Sequence, residues 1–234
     1  MIPLRLAVYG VLCLTLVSGS ASATARRHDT SERKDLDLTA SAQPSSALAT
    51  TADTASDITW SSRREVKADT VATSTATCDG CTGDSTALQV LYLPRATQAD
   101  LDNSAVAWAT QCLDCGATAL SVQVVVLRGG STLVPNNRAM AVNAACERCG
   151  SAAAAFQLVV VAPRVHRLPS ESLAQLQSWF DQQAAALRAP APTEGLDMTK
   201  RTEADGSVAL DALETLVNTE LDSETLTADV VLSD

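Results

Sequence analysis

Three apolar runs punctuate the middle of the chain: VLYL at 90–93, VVVL at 124–127 and LVVV at 158–161. Each is continuous rather than alternating, and rich in β-branched residues. That is the pattern of a strand buried on both faces. A glutamine precedes each run: Gln89, Gln123 and Gln157. On a strand, alternate residues share a face. Ser85, Ala87, Gln89 and Leu91 therefore point one way, as do Ala119, Ser121, Gln123 and Val125, and Ala153, Ala155, Gln157 and Val159. One polar residue recurs at one height, with small residues before it.

The segments before these runs read differently. Leu101, Ala105, Trp108, Cys112 and Cys115 recur at helical spacing, as do Ala139, Val142, Cys146 and Cys149. Asn103 and Asn137 stand nine residues before a cysteine pair, and Asp69 does so in an earlier unit. Such residues suit a helix N-cap. Gly116 and Gly150 follow the second cysteine, where a helix C′ residue sits. Paired acids such as Asp100 and Asp102 fit a helix start.

These features recur together. Cys78, Cys112 and Cys146 are spaced by 34 residues, and so are the three glutamines. The expectation is an α/β fold: three 34-residue helix–CxxC–strand repeats forming a small parallel sheet with right-handed helical crossovers. A further helix is expected over SESLAQLQSWFDQQAAALR, with Leu173, Leu176, Phe180, Ala184 and Leu187 on its apolar face. A last amphipathic helix, SVALDALETLVNTEL, gathers Leu210, Leu213, Val217 and Leu221, and docking on the core is its simplest use.

The ends differ in composition. Residues 1–23 read as a secretory signal: Arg5, a short apolar core, then small residues ending in Ala21-Ser22-Ala23. Cleavage is expected before Thr24, or before Arg26. Residues 24–68 are Ser, Thr, Ala and charge, and read as a disordered tether with Trp60 as a lone exposed aromatic. The repeat domain then spans 69–188, a proline-bearing linker 189–206, and the C-terminal helix and tail 207–234.

Charge and chemistry narrow the function. Removing residues 1–23 takes away one arginine and no acid, bringing the net charge from −10 to −11. An acidic chain repels phosphate backbones, so nucleic acid and anionic membranes are poor partners. Stable membrane insertion after signal cleavage is not expected, and secretion or display at the cell surface is. Lys34, Lys67 and Lys200 are the only lysines, and alanine is abundant, which suggests a high-GC bacterial genome. No HExxH, GxSxG or phosphate-cradling glycine loop is present. Of the two histidines, His28 falls in the tether and His166 in a loop. No catalytic residue, cofactor or metal is assigned.

Cys13 belongs to the signal, leaving six cysteines in three CxxC pairs. An even number in an exported chain favours disulfides. Placed at helix ends, the pairs meet the negative end of the dipole, which disfavours a thiolate. Zinc needs four ligands, and three pairs leave one over. Cysteines at i and i+3 of a helix are within bridging range, whereas equivalents on packed helices about 8–10 Å apart are not. Local bridges are expected: Cys78–Cys81, Cys112–Cys115 and Cys146–Cys149, each contributing about 2 kcal/mol in the chain-entropy model. The glutamines are expected to bond one another as a ladder if their strands are adjacent, and otherwise to bond backbone at the glycine end of their own helix.

The stretch from Cys78 to Val161, including NRAMAVNAACERCGSAAAAFQLVVV, resembles a cysteine-pair repeat of exported actinobacterial proteins of unknown function. Some of these carry the label peptide zinc metalloprotease, which the absence of HExxH does not support. The resulting expectation is an exported, disulfide-stapled structural or interaction protein with a protein or cell-surface partner. The alternatives are a thiol–disulfide protein using one CxxC pair and an extracellular zinc-binding protein.

Overall fold

The computed structural model describes residues 36–188 and 203–234. The signal and most of the linker expected from the sequence lie outside them. Eight strands alternate between two sheets: β1 (Leu38–Ala42), β2 (Thr50–Trp60), β3 (Glu65–Ala76), β4 (Thr82–Leu93), β5 (Gln98–Thr110), β6 (Gly116–Leu127), β7 (Thr132–Ala144) and β8 (Gly150–Val161). Odd strands form one sheet, in the order β1-β3-β5-β7. Even strands form the other, β2-β4-β6-β8, closed by an antiparallel ninth strand, β9 (Glu224–Ser233), beside β8. All other pairings are parallel. The chain thus winds as a parallel β-solenoid of about four turns, each giving one strand to each sheet.

This overturns the helix–strand reading. The 34-residue unit is one turn of the solenoid, and its first half is a strand. Along β5, Ala99, Leu101, Asn103, Ala105, Ala107 and Ala109 are buried at every second position. The helical spacing joined two faces: Leu101 and Ala105 point inward, while Trp108 points out and is 39% exposed. Alanine, the strongest helix former, is used here for its size. Asn103 is not a cap but a mid-strand residue with no exposed surface. Asp100 and Asp102 likewise lie on β5.

Residue size sets the interior shape. Near the cysteine bends the two sheets meet through Ala72, Ala76, Ala87, Ala105, Ala107, Ala109, Ala117 and Ala119. The approach is close: a Cβ on Gly83 of β4 would lie 2.6 Å from Ser74 Oγ of β3. At the opposite edge Leu91, Leu93, Leu101, Val125, Leu127 and Val159 fill a wider space. The interior therefore tapers toward the cysteines.

The first turn replaces the expected disorder. Residues 36–60, placed in the tether by composition, include β1 and β2, which pair in parallel with β3 and β4. Their register offsets are 32 residues (Leu38↔Thr70, Thr50↔Thr82), not 34, and their bend has no cysteines. Backbone pairing to the next turn supplies what the Ser- and Thr-rich side chains do not. Trp60 ends β2 and stacks on Tyr92 at 6.0 Å.

The outer face of the even sheet is covered. Leu88, Val90, Leu120, Val122, Val124, Phe156 and Leu158 pack against α1 (Ser170–Arg188) and α2 (Glu203–Leu221). β4, β6 and β8 are accordingly buried on both faces, as their continuous apolar runs require, whereas β2 is not. Leu176, Phe180, Ala184 and Leu187 of α1 are buried with Trp179, and Leu173 is half-buried. Leu210, Leu213, Val217 and Leu221 of α2 are all buried, so this helix docks on the core. No described helix is long and apolar enough to cross a membrane.

The outer face of the odd sheet carries neighbouring acids: Asp69 and Asp102 are paired in register, and the Asp69 N–H donates to Asp37 Oδ1 at 3.2 Å. Burial, then the Asp37 carboxylate, holds the Asp69 carboxyl above its ordinary range. The folded state thus binds this proton more tightly than the unfolded chain. The charged form costs stability above the raised folded pKa, and the cost is relieved as pH falls through it. Asp69→Asn is expected to stabilise the protein at pH 7 by about 0.2–1 kcal/mol. The gain should shrink toward pH 4, as read from urea unfolding at the two pH values.

Candidate functional site: a cysteine column and a buried amide ladder

The three CxxC segments are bends between an odd strand and the following even strand, and they stack. Hydrogen bonds continue the ladder through them: Gly116 N–H to Cys81 O at 2.8 Å, Gly150 N–H to Cys115 O at 3.0 Å, and Asp114 N–H to Glu147 O at 3.0 Å. The residue before the second cysteine takes a left-handed backbone in every bend: Gly80 (φ 67°), Asp114 (φ 54°) and Arg148 (φ 55°). The last two side chains pair across turns, Arg148 Nε to Asp114 Oδ1 at 2.6 Å and Nη2 to Oδ2 at 2.8 Å. The Arg148 guanidinium holds the Asp114 carboxyl below its ordinary range.

Cys78–Cys81 and Cys112–Cys115 are disulfides within their own bends, with Cα separations of 5.3 and 6.1 Å. Cys146 and Cys149 are thiols. The hydrogen bond to Cys149 is the first cause that raises the Cys146 thiol above its ordinary range. Two premises of the sequence reading fall here. The cysteines are not at helix ends, so no dipole acts against a thiolate. Equivalent cysteines are also not kept apart by helix packing, because stacked strands bring them together. Cys149 Sγ lies 3.1 Å from Cys115 Sγ and 3.9 Å from Cys112 Sγ. These three sulfurs lie within 4.8 Å of one another, the compactness of a soft-metal ligand set. Two of them are joined to each other, however, which leaves Cys149 as the one free thiol of the three.

The glutamines occupy the tapered interior midway between the two edges. Gln89, Gln123 and Gln157 are in register on β4, β6 and β8. Gln123 Nε2 donates to Gln89 Oε1 at 3.1 Å, and Gln157 Nε2 donates to Gln123 Oε1 at 2.8 Å. This is the ladder expected for adjacent parallel strands, and the alternative at helix ends does not arise. Gln89 Nε2 closes the row on Leu36 O at 2.6 Å, and the Thr70 hydroxyl donates to Gln89 Oε1 at 2.8 Å. A second row was missed by the sequence reading. Asn103 Nδ2 donates to Asn137 Oδ1 at 2.8 Å, and Ser121 Oγ donates to Asn103 Oδ1 at 2.6 Å. The signal lies in the sequence, since these asparagines repeat at the same 34-residue spacing, but an asparagine at a repeat boundary suits a helix cap equally well. Each amide in the two rows is engaged, so the arrangement specifies register. His166, in contrast, is exposed, with Nδ1 against Arg167 O at 3.2 Å.

No protein-family model, curated protein or solved structure matches this chain.

Proposed function

We propose that this protein is an exported scaffold: a disulfide-stapled β-solenoid that serves a structural or interaction role at the cell surface or in the medium. The observation that carries the reading is the pair of disulfides stacked at one edge of successive turns. Such bridges persist in oxidising compartments and are rare in the cytosol. The saturated amide rows and the alanine-packed interior support it, because they commit the interior to shape. The outer face of the odd sheet is the surface offered to a partner. Val106, Trp108, Met140 and Val142 are neighbours there, with Trp108 and Met140 exposed.

The test is thiol counting on native protein recovered from the medium, together with N-terminal sequencing. Cysteines 78, 81, 112 and 115 are expected to resist alkylation until reductant is added. The N-terminus is expected at Thr24 or Arg26. Recovery of the chain in the cytosol, starting at Met1 and with all four of these cysteines alkylating freely, would overturn the proposal.

A further inference from the structure

The third cysteine pair differs from the other two in a way that bears on chemistry. Cys112 and Cys115 are buried, with 7% and 3% of their surface exposed, so little of their bond faces an external thiol. Cys146 and Cys149 are half-buried in the last bend, on which no further cysteine bend stacks among the described residues. Cys149 touches both members of the inner disulfide, Cys115 Sγ at 3.1 Å and Cys112 Sγ at 3.9 Å, and lies three residues from Cys146. Arg148, a fixed positive charge, precedes it.

We propose that Cys149 is an internal nucleophile that carries thiol–disulfide exchange between the half-buried pair of turn four and the buried pair of turn three. The Cys149 thiol loses its proton to solvent, and rotation of its side chain brings the thiolate into line with the Cys112–Cys115 bond. The thiolate attacks Cys115 Sγ. The Cys115–Cys149 bond forms, the Cys112–Cys115 bond breaks, and Cys112 leaves as a thiolate that takes up a proton. The Cys146 thiolate then attacks Cys149 Sγ, and Cys115 leaves and is protonated. One disulfide and two thiols enter, and one disulfide and two thiols emerge, so no outside oxidant or reductant is needed. The buried pair thereby takes its redox state from outside through Cys149.

The sequence permits a direct readout. Trypsin cleaves after Arg95, Arg128, Arg138, Arg148 and Arg164, which puts Cys112 and Cys115 in 96–128, Cys146 in 139–148 and Cys149 in 149–164. In the full-length Cys146→Ser variant, equilibrated at mildly alkaline pH and quenched with acid, a cross-link of 96–128 to 149–164 is expected by mass spectrometry. In wild type treated with dithiothreitol, the Cys112–Cys115 bond should open about tenfold faster than in Cys149→Ser. Equal opening rates in the folded Cys149→Ser variant would overturn the proposal. So would absence of the cross-link in Cys146→Ser, or about one zinc per chain blocking alkylation of Cys149. The Cys78–Cys81 bond takes no part in this exchange, so its resistance to alkylation tests the scaffold reading separately.

Discussion

Phe180→Ala is expected to destabilise the protein by about 3–5 kcal/mol, the range for truncating a buried aromatic. Phe180 is 1% exposed and sits on α1 among the residues that seal the outer face of the even sheet. Its neighbour Trp179 packs edge-on against Phe156 of β8 at 5.3 Å between ring centres, and Trp179 Nε1 donates to Ala209 O of α2 at 3.1 Å. A hole at Phe180 therefore lies where both helices meet the sheet. The strands beneath it are fixed by their ladders and have little freedom to collapse into it, so the cavity cost is retained. Urea unfolding measures the effect. Gln175→Ala on the exposed side of the same helix should stay within about 0.5 kcal/mol of wild type. If Phe180→Ala also stays within that margin, α1 does not seal the sheet.

Gln123→Leu should cost about 1–3 kcal/mol. The leucine has similar bulk, so packing changes little and the loss reports on hydrogen bonding. Gln123 is the middle rung, fully buried, donating to Gln89 and accepting from Gln157. After substitution, Gln89 Oε1 keeps the Thr70 hydroxyl, and Gln157 Nε2 keeps only long contacts of 3.3 Å to Leu101 O and Asn136 O. That partial compensation keeps the expected loss below the cost of two fully orphaned groups. A midpoint of urea unfolding equal to wild type would remove the ladder from the account of stability.

Much of this interior was legible in the chain itself. The 34-residue recurrence is the solenoid turn, the unbroken apolar runs are strands buried on both faces, and the recurring glutamine is a rung. The apolar faces of both helices were also readable, because amphipathic helices on a surface keep their period. What was not legible follows from the taper. Where two sheets nearly touch, only alanine, serine and glycine fit, and an alternation of alanine with Ser, Val or Asn carries little hydrophobic contrast. Ala105 and Ala107 face inward, yet the sequence around them scores as helix. The first turn was hidden for another reason: its 32-residue offset and cysteine-free bend break the recurrence that revealed the others. The sulfur contacts between turns depended on knowing that strands, not helices, hold the pairs.

The reversed strand at the end has its own consequence. A stack of parallel turns is in principle a template for more turns, and an open end invites another chain to continue it. Here β9 advances the even sheet by one strand while the odd sheet stops at β7, so an incoming turn cannot meet both edges flush. β9 also reaches across to the open edge: Ser233 Oγ accepts the Ala141 N–H at 2.9 Å, and Asp229 O accepts from Asn137 Nδ2 at 3.1 Å. Pro135 of β7 offers no N–H at all. The molecule carries its own stop signal, and growth into a fibre from this end would first require β9 to peel away.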